Sequence, residues 1–89
     1  MFVIMVYDVN SRRVAKVLKA SRRYLVWVQR SVFEGKITPG RLDSLKQELA
    51  DIINPQEDSI LFYVWHRGIY TYRETIGAEC ADWEAANFV

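Results

Sequence analysis

Asp8 is where chemistry is easiest to place in this chain. It follows directly on Phe2-Val3-Ile4-Met5-Val6-Tyr7, six apolar residues in a row. A strand buried on both faces reads as such an unbroken run. A carboxylate delivered to the end of that strand can ligate a divalent cation, which takes carboxylate, water and phosphate oxygens. Just beyond it, Ser11-Arg12-Arg13 opens a basic segment. Arginine suits bidentate contacts to phosphate, so Arg12 and Arg13 could position one. Metal and phosphate together suggest phosphodiester hydrolysis, in which the metal activates water and stabilises charge on the phosphate. The plainer reading is that Asp8 starts the helix after the strand, because Asp, Asn and Ser are favoured at N-caps. No other residue is an obvious general base. His66 stands at a strand end with no Cys, Ser or acid arranged around it. One Cys and one His cannot build a zinc cluster.

The charge distribution sharpens this. Net charge is only +1, yet residues 11–30 hold seven of the twelve Lys and Arg and no acid. The remainder carries five bases against eleven acids. Such asymmetry points to an anionic partner for one surface. Arg12, Lys16, Lys19 and Arg23 recur at helical spacing, within an arc of about 60° at 100° per residue. Like charges at i, i+4 repel by roughly 0.2–0.5 kcal/mol a pair, so a solvated face usually mixes signs. This one does not. A nucleic-acid backbone is the commonest reason to keep such a stripe; a plain solvated face is the alternative.

The elements that must carry these residues can be read in order. The first strand is Phe2 to about Tyr7. Asn10 or Ser11 can cap a helix running from Arg12 to about Arg23, with Val14, Val17, Leu18 and Ser21 inward. Tyr24 to Ile37 is rich in aromatic and β-branched residues. Its length predicts two short strands with a reversal or bulge near Gln29-Arg30-Ser31, and Gly35 marks a second irregularity. Thr38-Pro39 starts a second helix. Leu42, Leu45, Leu49, Ile52 and Ile53 form its buried stripe, and Asn54-Pro55 ends it. After Gln56-Glu57-Asp58, the run Ile60 to Trp65 is another central strand. Tyr70 to Ile76 alternates and reads as a further strand, broken by Gly77. Glu79 to Asn87 is acidic and rich in small residues, and Asn87-Phe88-Val89 is an apolar tip that could dock on a partner subunit.

The order is α+β, a ferredoxin-like β-α-β-β-α-β sandwich with an extra C-terminal strand. The 89 residues make one domain, with a core at about 1–66 and a C-terminal extension at 67–89. Both helices cover one face of the sheet. The first and fourth strands are apolar at successive positions, so the other face is apolar too. An uncovered apolar face predicts a homodimer formed by stacking two sheets about a two-fold axis. Such a dimer supplies two copies of Asp8. The lone Cys80 suits a reducing cytosol. The apolar start is too short to span a membrane and lacks a basic leader, so the expected location is cytoplasmic, with no membrane partner.

Several stretches together resemble the CRISPR-associated Cas-two family, the smaller of the two core spacer-acquisition proteins. They are Val6-Tyr7-Asp8-Val9, Arg12-Arg13-Val14, Val28-Gln29-Arg30-Ser31-Val32-Phe33-Glu34-Gly35, and Asp58-Ser59-Ile60-Leu61-Phe62-Tyr63. The similarity covers roughly residues 2–65, in order and spacing. It implies a ferredoxin-like homodimer whose C-terminal strand often joins the partner's sheet. It also implies a Mg²⁺-dependent endonuclease on single-stranded RNA or double-stranded DNA, which bridges dimers of the larger CRISPR integrase and holds the DNA to be inserted. The family's metal-binding Asp falls on Asp8. Its other site positions fall on Tyr7, Arg13 and Phe33, and Trp27 stands where some members have a basic residue.

Three readings follow. The chain is a metal-dependent endonuclease in CRISPR adaptation, or a non-catalytic DNA-binding scaffold subunit of the integrase complex. An RNA-recognition module of the same topology would need that module's aromatic signature on the third strand, which is absent from Ser31-Val32-Phe33-Glu34-Gly35-Lys36.

Overall fold

The computed structural model describes residues 1–78. The expectations for the acidic segment and the apolar tip lie outside the described residues. Within them the order is β1 (Phe2–Asp8), α1 (Ser11–Ser21), β2 (Val26–Gln29), β3 (Val32–Lys36), α2 (Pro39–Ile52), β4 (Ser59–His66) and β5 (Ile69–Gly77). The strands form one antiparallel sheet in the order β2-β3-β1-β4-β5. This is the expected ferredoxin-like arrangement with one strand added beside β4.

The two apolar runs take the two central positions next to each other. β1 pairs with β4 from Phe2 opposite Trp65 to Asp8 opposite Ser59. Val3, Met5 and Tyr7 of β1 and Ile60, Phe62 and Val64 of β4 are buried under the helices. They meet Val17 and Ala20 of α1 and Leu42, Leu45 and Leu49 of α2. The alternate residues Phe2, Ile4, Val6, Leu61, Tyr63 and Trp65 point to the other face and are only half-buried. An apolar band centred on these two strands thus faces outward, flanked by Glu34 on β3, opposite Ile4, and Thr75 on β5, opposite Leu61, and continued by Val32, opposite Val6, and Tyr70, opposite Trp65.

Local chemistry places the helix starts. The Asn10 side chain accepts from Arg12 N at 3.0 Å, and Thr38 accepts from Arg41 N at 3.3 Å, with Pro39 next. Each cap satisfies one of the orphan donors of a first turn. The hairpin between β2 and β3 turns at Arg30, whose φ of 42° is left-handed. Its carbonyl accepts both the Tyr7 hydroxyl and the Trp27 indole N–H, each at 3.0 Å. Those two aromatic donors hold a backbone shape that a non-glycine residue rarely adopts.

The irregularity expected at Gly35 does not occur. Gly35 pairs in regular register with Val3, and the sheet irregularity falls between Trp27 and Gln29. A Cβ at Gly35 would stand 3.4 Å from buried Leu25, so the glycine leaves room for that side chain. Gly77 has a firmer requirement. Its φ is 87°, and a Cβ there would lie 2.1 Å from the Asp58 carbonyl oxygen, which accepts Ala78 N at 2.7 Å. Gly77→Ala is expected to lower stability by about 2 kcal/mol through forced φ and steric displacement. Thermal denaturation checks this; an unchanged midpoint would mean that the end of β5 is loosely held.

Candidate functional site

Asp8 ends β1 at the surface, opposite Ser59. Among the described residues its carboxylate has no hydrogen-bond or ion-pair partner. Its oxygens are therefore open to a cation. No cluster of three or more His, Cys, Asp or Glu able to hold a metal exists among the described residues. Asp8 fits as one ligand of a hydrated magnesium, a metal that usually keeps several waters and takes one or two carboxylates. It does not fit as part of an all-protein cage within one chain.

Immediately behind Asp8 lies a feature that sequence reasoning missed. Asp58 is a fully buried carboxylate in the entry to β4. Its Oδ1 accepts Asn10 N at 2.9 Å, and its Oδ2 accepts Asn54 N at 2.9 Å and Arg13 Nε at 2.6 Å. A second guanidinium nitrogen of Arg13 reaches Asp58 Oδ1 at 3.2 Å and Glu57 at 2.7 Å. Arg13's bonds hold the Asp58 carboxyl down to about 2, against the opposing effect of burial, with the two backbone N–H donors adding to the shift. The carboxylates in turn raise Arg13, so it stays charged. This cluster joins the end of β1, the first turn of α1 and the α2–β4 connection, and so fixes the backbone two residues past Asp8. A sequence signal existed: an acid stands just before one continuous apolar run and an arginine follows just after the other.

The expected site residues separate into distinct roles. Arg13 does not face outward as a phosphate ligand; its guanidinium is held on Asp58 and Glu57. Phe33 is fully buried in the core and cannot touch a substrate. Tyr7 is buried too, packed on Phe33 with ring centroids 6.2 Å apart, and its hydroxyl is committed to Arg30. Burial raises its phenol above the ordinary value, with the Arg22 charge opposing. Tyr7 and Phe33 thus support the hairpin beside the strand that carries Asp8. His66 is exposed at the far end of β4 from Asp8.

Arg12, Lys16 and Lys19 are exposed on α1, which ends at Ser21 rather than at the expected Arg23; Arg23 is exposed in the turn just beyond it. The stripe is uniform along the helix but not free of neighbours. Arg23 pairs with Glu48 of α2, which also takes the Tyr24 hydroxyl. The Tyr24 bond, helped by Arg23, holds the Glu48 carboxyl below its usual range. Among the described residues Arg12, Lys16 and Lys19 have no acidic partner. Lys16, Lys19 and Arg23 rim a shallow groove between the helices whose floor includes Ala20 and Ile52. No helix among the described residues is long and apolar enough to cross a membrane.

Comparison with known proteins bears on the family and the fold. The family model described as "CRISPR associated protein Cas2" matches residues 1–71. The "CRISPR-associated endoribonuclease Cas2" of Dictyoglomus turgidum is 51% identical over 79 residues, covering 89% of this chain and 91% of the relative. The protein of the same description from Thermotoga maritima is 52% identical with the same coverage. Among solved structures, one described as "Crystal structure of cas2" is 36% identical with a TM-score of 0.72, covering 91% of each chain. Streptococcus pyogenes Cas2 at pH 6.5 is 35% identical with a TM-score of 0.68, covering 81% of this chain and 99% of that one.

Proposed function

The chain belongs to the CRISPR associated protein Cas2 family, and from that premise we propose that it is an endonuclease of CRISPR adaptation, acting as a homodimer on nucleic-acid backbone. The observation that carries this reading is the unpartnered Asp8 carboxylate at a fixed strand end, beside the acid-free face of α1. The relatives' printed name, endoribonuclease, favours RNA as a substrate; double-stranded DNA is the other candidate. The integrase that carries out spacer insertion is the proposed larger partner, and the cytoplasm the compartment.

Asp8 would hold magnesium, which supplies Lewis-acid activation of water and charge stabilisation at the phosphate. Arg12, Lys16 and Lys19 would bind and orient the backbone without reading bases. Asp58 and Arg13 would keep the turn after Asp8 in place. One carboxylate per chain is a sparse metal site, and this favours a second reading. In it the protein is chiefly a DNA-holding scaffold of the integrase complex, and cleavage is incidental.

The outward apolar band of β1 and β4 is the proposed dimer face. It has an interface's apolar centre with aromatic residues, and Glu34 and Thr75 stand at its margins. Trp65 packs edge-on to Phe2 at 6.1 Å and Tyr70 at 5.4 Å, so the aromatic surface is already ordered. The protein is expected to be dimeric at micromolar concentration, by light scattering. A sharp monomer there would remove the sheet-stacking reading.

The stripe supplies the direct test of nucleic-acid binding. Each phosphate contact releases counterions, so log K should fall with log salt by roughly 0.9 per phosphate neutralised. Changing Lys16 and Lys19 together to Ala preserves helix propensity and relieves like-charge repulsion. Stability should hold, affinity should drop about equally across sequences, and the salt slope should become shallower. Duplex affinity at several salt concentrations reads all three. An unchanged affinity and slope would leave the stripe as a solvated face.

A further inference from the structure

Trp27 is 47% exposed on β2, an edge strand of the sheet. A buried indole contributes a large apolar area, and one left half in water forgoes much of that gain. The ring is nonetheless held in place. Its N–H donates to the Arg30 carbonyl at 3.0 Å, across the tip of its own hairpin. Two cations flank it. The Arg22 guanidinium stands 6.0 Å from the ring centroid, the outer limit of a cation–π contact, so it borders the ring without sealing it. Arg30 is exposed at the hairpin tip. Neither arginine has an acidic partner among the described residues. An ordered, open aromatic ring between unpaired cations fits a ligand that is itself flat and anionic. An unpaired nucleotide is one, with its base on the indole and its phosphates on the arginines. A duplex offers only its phosphates here, because its bases stack on one another. We propose that Trp27 is a base-stacking platform for unpaired nucleotides, flanked by Arg22 and Arg30, and that it gives the protein a preference for single strands.

The register of the sheet ties this platform to Asp8. The Arg30 carbonyl that holds the indole also accepts the Tyr7 hydroxyl at 3.0 Å, and Tyr7 N donates to Ser31 O at 3.1 Å. Tyr7 immediately precedes Asp8. β2 lies two strands from β1, with β3 between them, a separation of about 10 Å. Asp8 and the tip of the hairpin therefore stand at the same end of the sheet. A strand with one base on Trp27 brings a neighbouring phosphate toward the Asp8 carboxylate. The inference rests on the proposed function and adds to it the state of the strand that is held: stacking is sequence-tolerant, since every base has a π-face, but it requires that the base be unpaired.

The test is binding by the full chain in magnesium-free buffer, where no strand is cut. Three probes are compared: a mixed-sequence single-stranded RNA, an abasic strand of the same length, and a duplex. Trp27→Ala is expected to weaken binding of the single strand by about fivefold or more, the loss of one stacked base. Its affinities for the abasic strand and the duplex should stay within about twofold of wild type, since both keep the phosphates and neither offers a base to stack. Trp27→Phe separates stacking from support of the hairpin, because it keeps an aromatic ring and lacks the N–H that Arg30 O accepts. It should retain most of the single-strand affinity. An unchanged affinity of Trp27→Ala for the single strand would overturn the proposal. So would an equal loss on all three probes, or a loss in Trp27→Phe as large as in Trp27→Ala, either of which would make the indole a support of the hairpin. Wild type that bound none of the probes would overturn the proposed function and this inference with it, whereas wild-type binding indifferent to Trp27 would overturn this inference alone.

Discussion

Asp8→Asn is expected to lower magnesium-dependent cleavage at least about tenfold, a loss on the order of 1.4 kcal/mol of barrier stabilisation. The substitution keeps the size of the side chain and removes its charge, which is what a hard cation needs. The fold should survive, since Asp8 is exposed and its carboxylate has no partner among the described residues. The measurements are cleavage of single-stranded RNA and of duplex DNA by purified dimer, alongside a thermal melt. Binding of Mn²⁺ followed by its paramagnetic signal gives a readout independent of turnover, and should weaken in the variant. Retained cleavage would assign the activity to another site or a contaminant. Lost cleavage with intact duplex binding would show that metal chemistry and backbone binding are separable, as the two functional readings require.

Asp58→Ala is expected to destabilise the protein by about 3 kcal/mol, since it strands a guanidinium and two backbone donors in a partly buried place. For a chain of this length that corresponds to a midpoint lower by roughly 12–24 °C at equal protomer concentration. The acid dependence carries its own signature. The Asp58 carboxyl titrates at about 2 when folded, below its ordinary 3.8. A depressed carboxyl contributes stability that is complete above the unfolded value and is lost as pH falls through the folded one. Wild type should therefore lose this contribution between about pH 4 and pH 2, and Asp58→Ala should have a flatter acid limb. Denaturant unfolding across that range measures it. Parallel acid limbs in the two proteins would mean that another carboxylate governs acid unfolding. Cleavage by Asp58→Ala, assayed well below its midpoint, should also fall, because Asn10 N loses the acceptor that fixes the turn after Asp8.

What could be read from the residues in advance was whatever a local pattern encodes. Unbroken apolar runs announced β1 and β4, and Asn10 and Thr38-Pro39 announced the helix starts. The site was legible only in part, because its remaining logic is long-range. Arg12 and Arg13 are adjacent, yet a helix turns 100° between them. Which one meets an acid depends on where the entry to β4 lies, and that contact closes 45 positions of chain. Trp27 carried no periodic signal, because its indole turns back on its own hairpin to bond Arg30 O. Gly35 misled for the opposite reason. Glycine often breaks a strand, but here the strand continues and Leu25 takes the space.

The central place of β1 also governs how the chain is born. The first strand made, Phe2–Asp8, pairs on one side with β3 and on the other with β4, so Phe2 waits for Trp65. At about 5–20 residues per second of synthesis, several seconds pass before both neighbours exist. Throughout that interval an apolar ribbon of high β-propensity hangs from the ribosome with an open edge, the kind of segment that pairs with other chains. Folding must then be largely post-translational, and it closes its longest loops last. Nascent chains arrested before Ser59 should be protease-sensitive and bound by chaperones, while chains released past Gly77 should resist digestion.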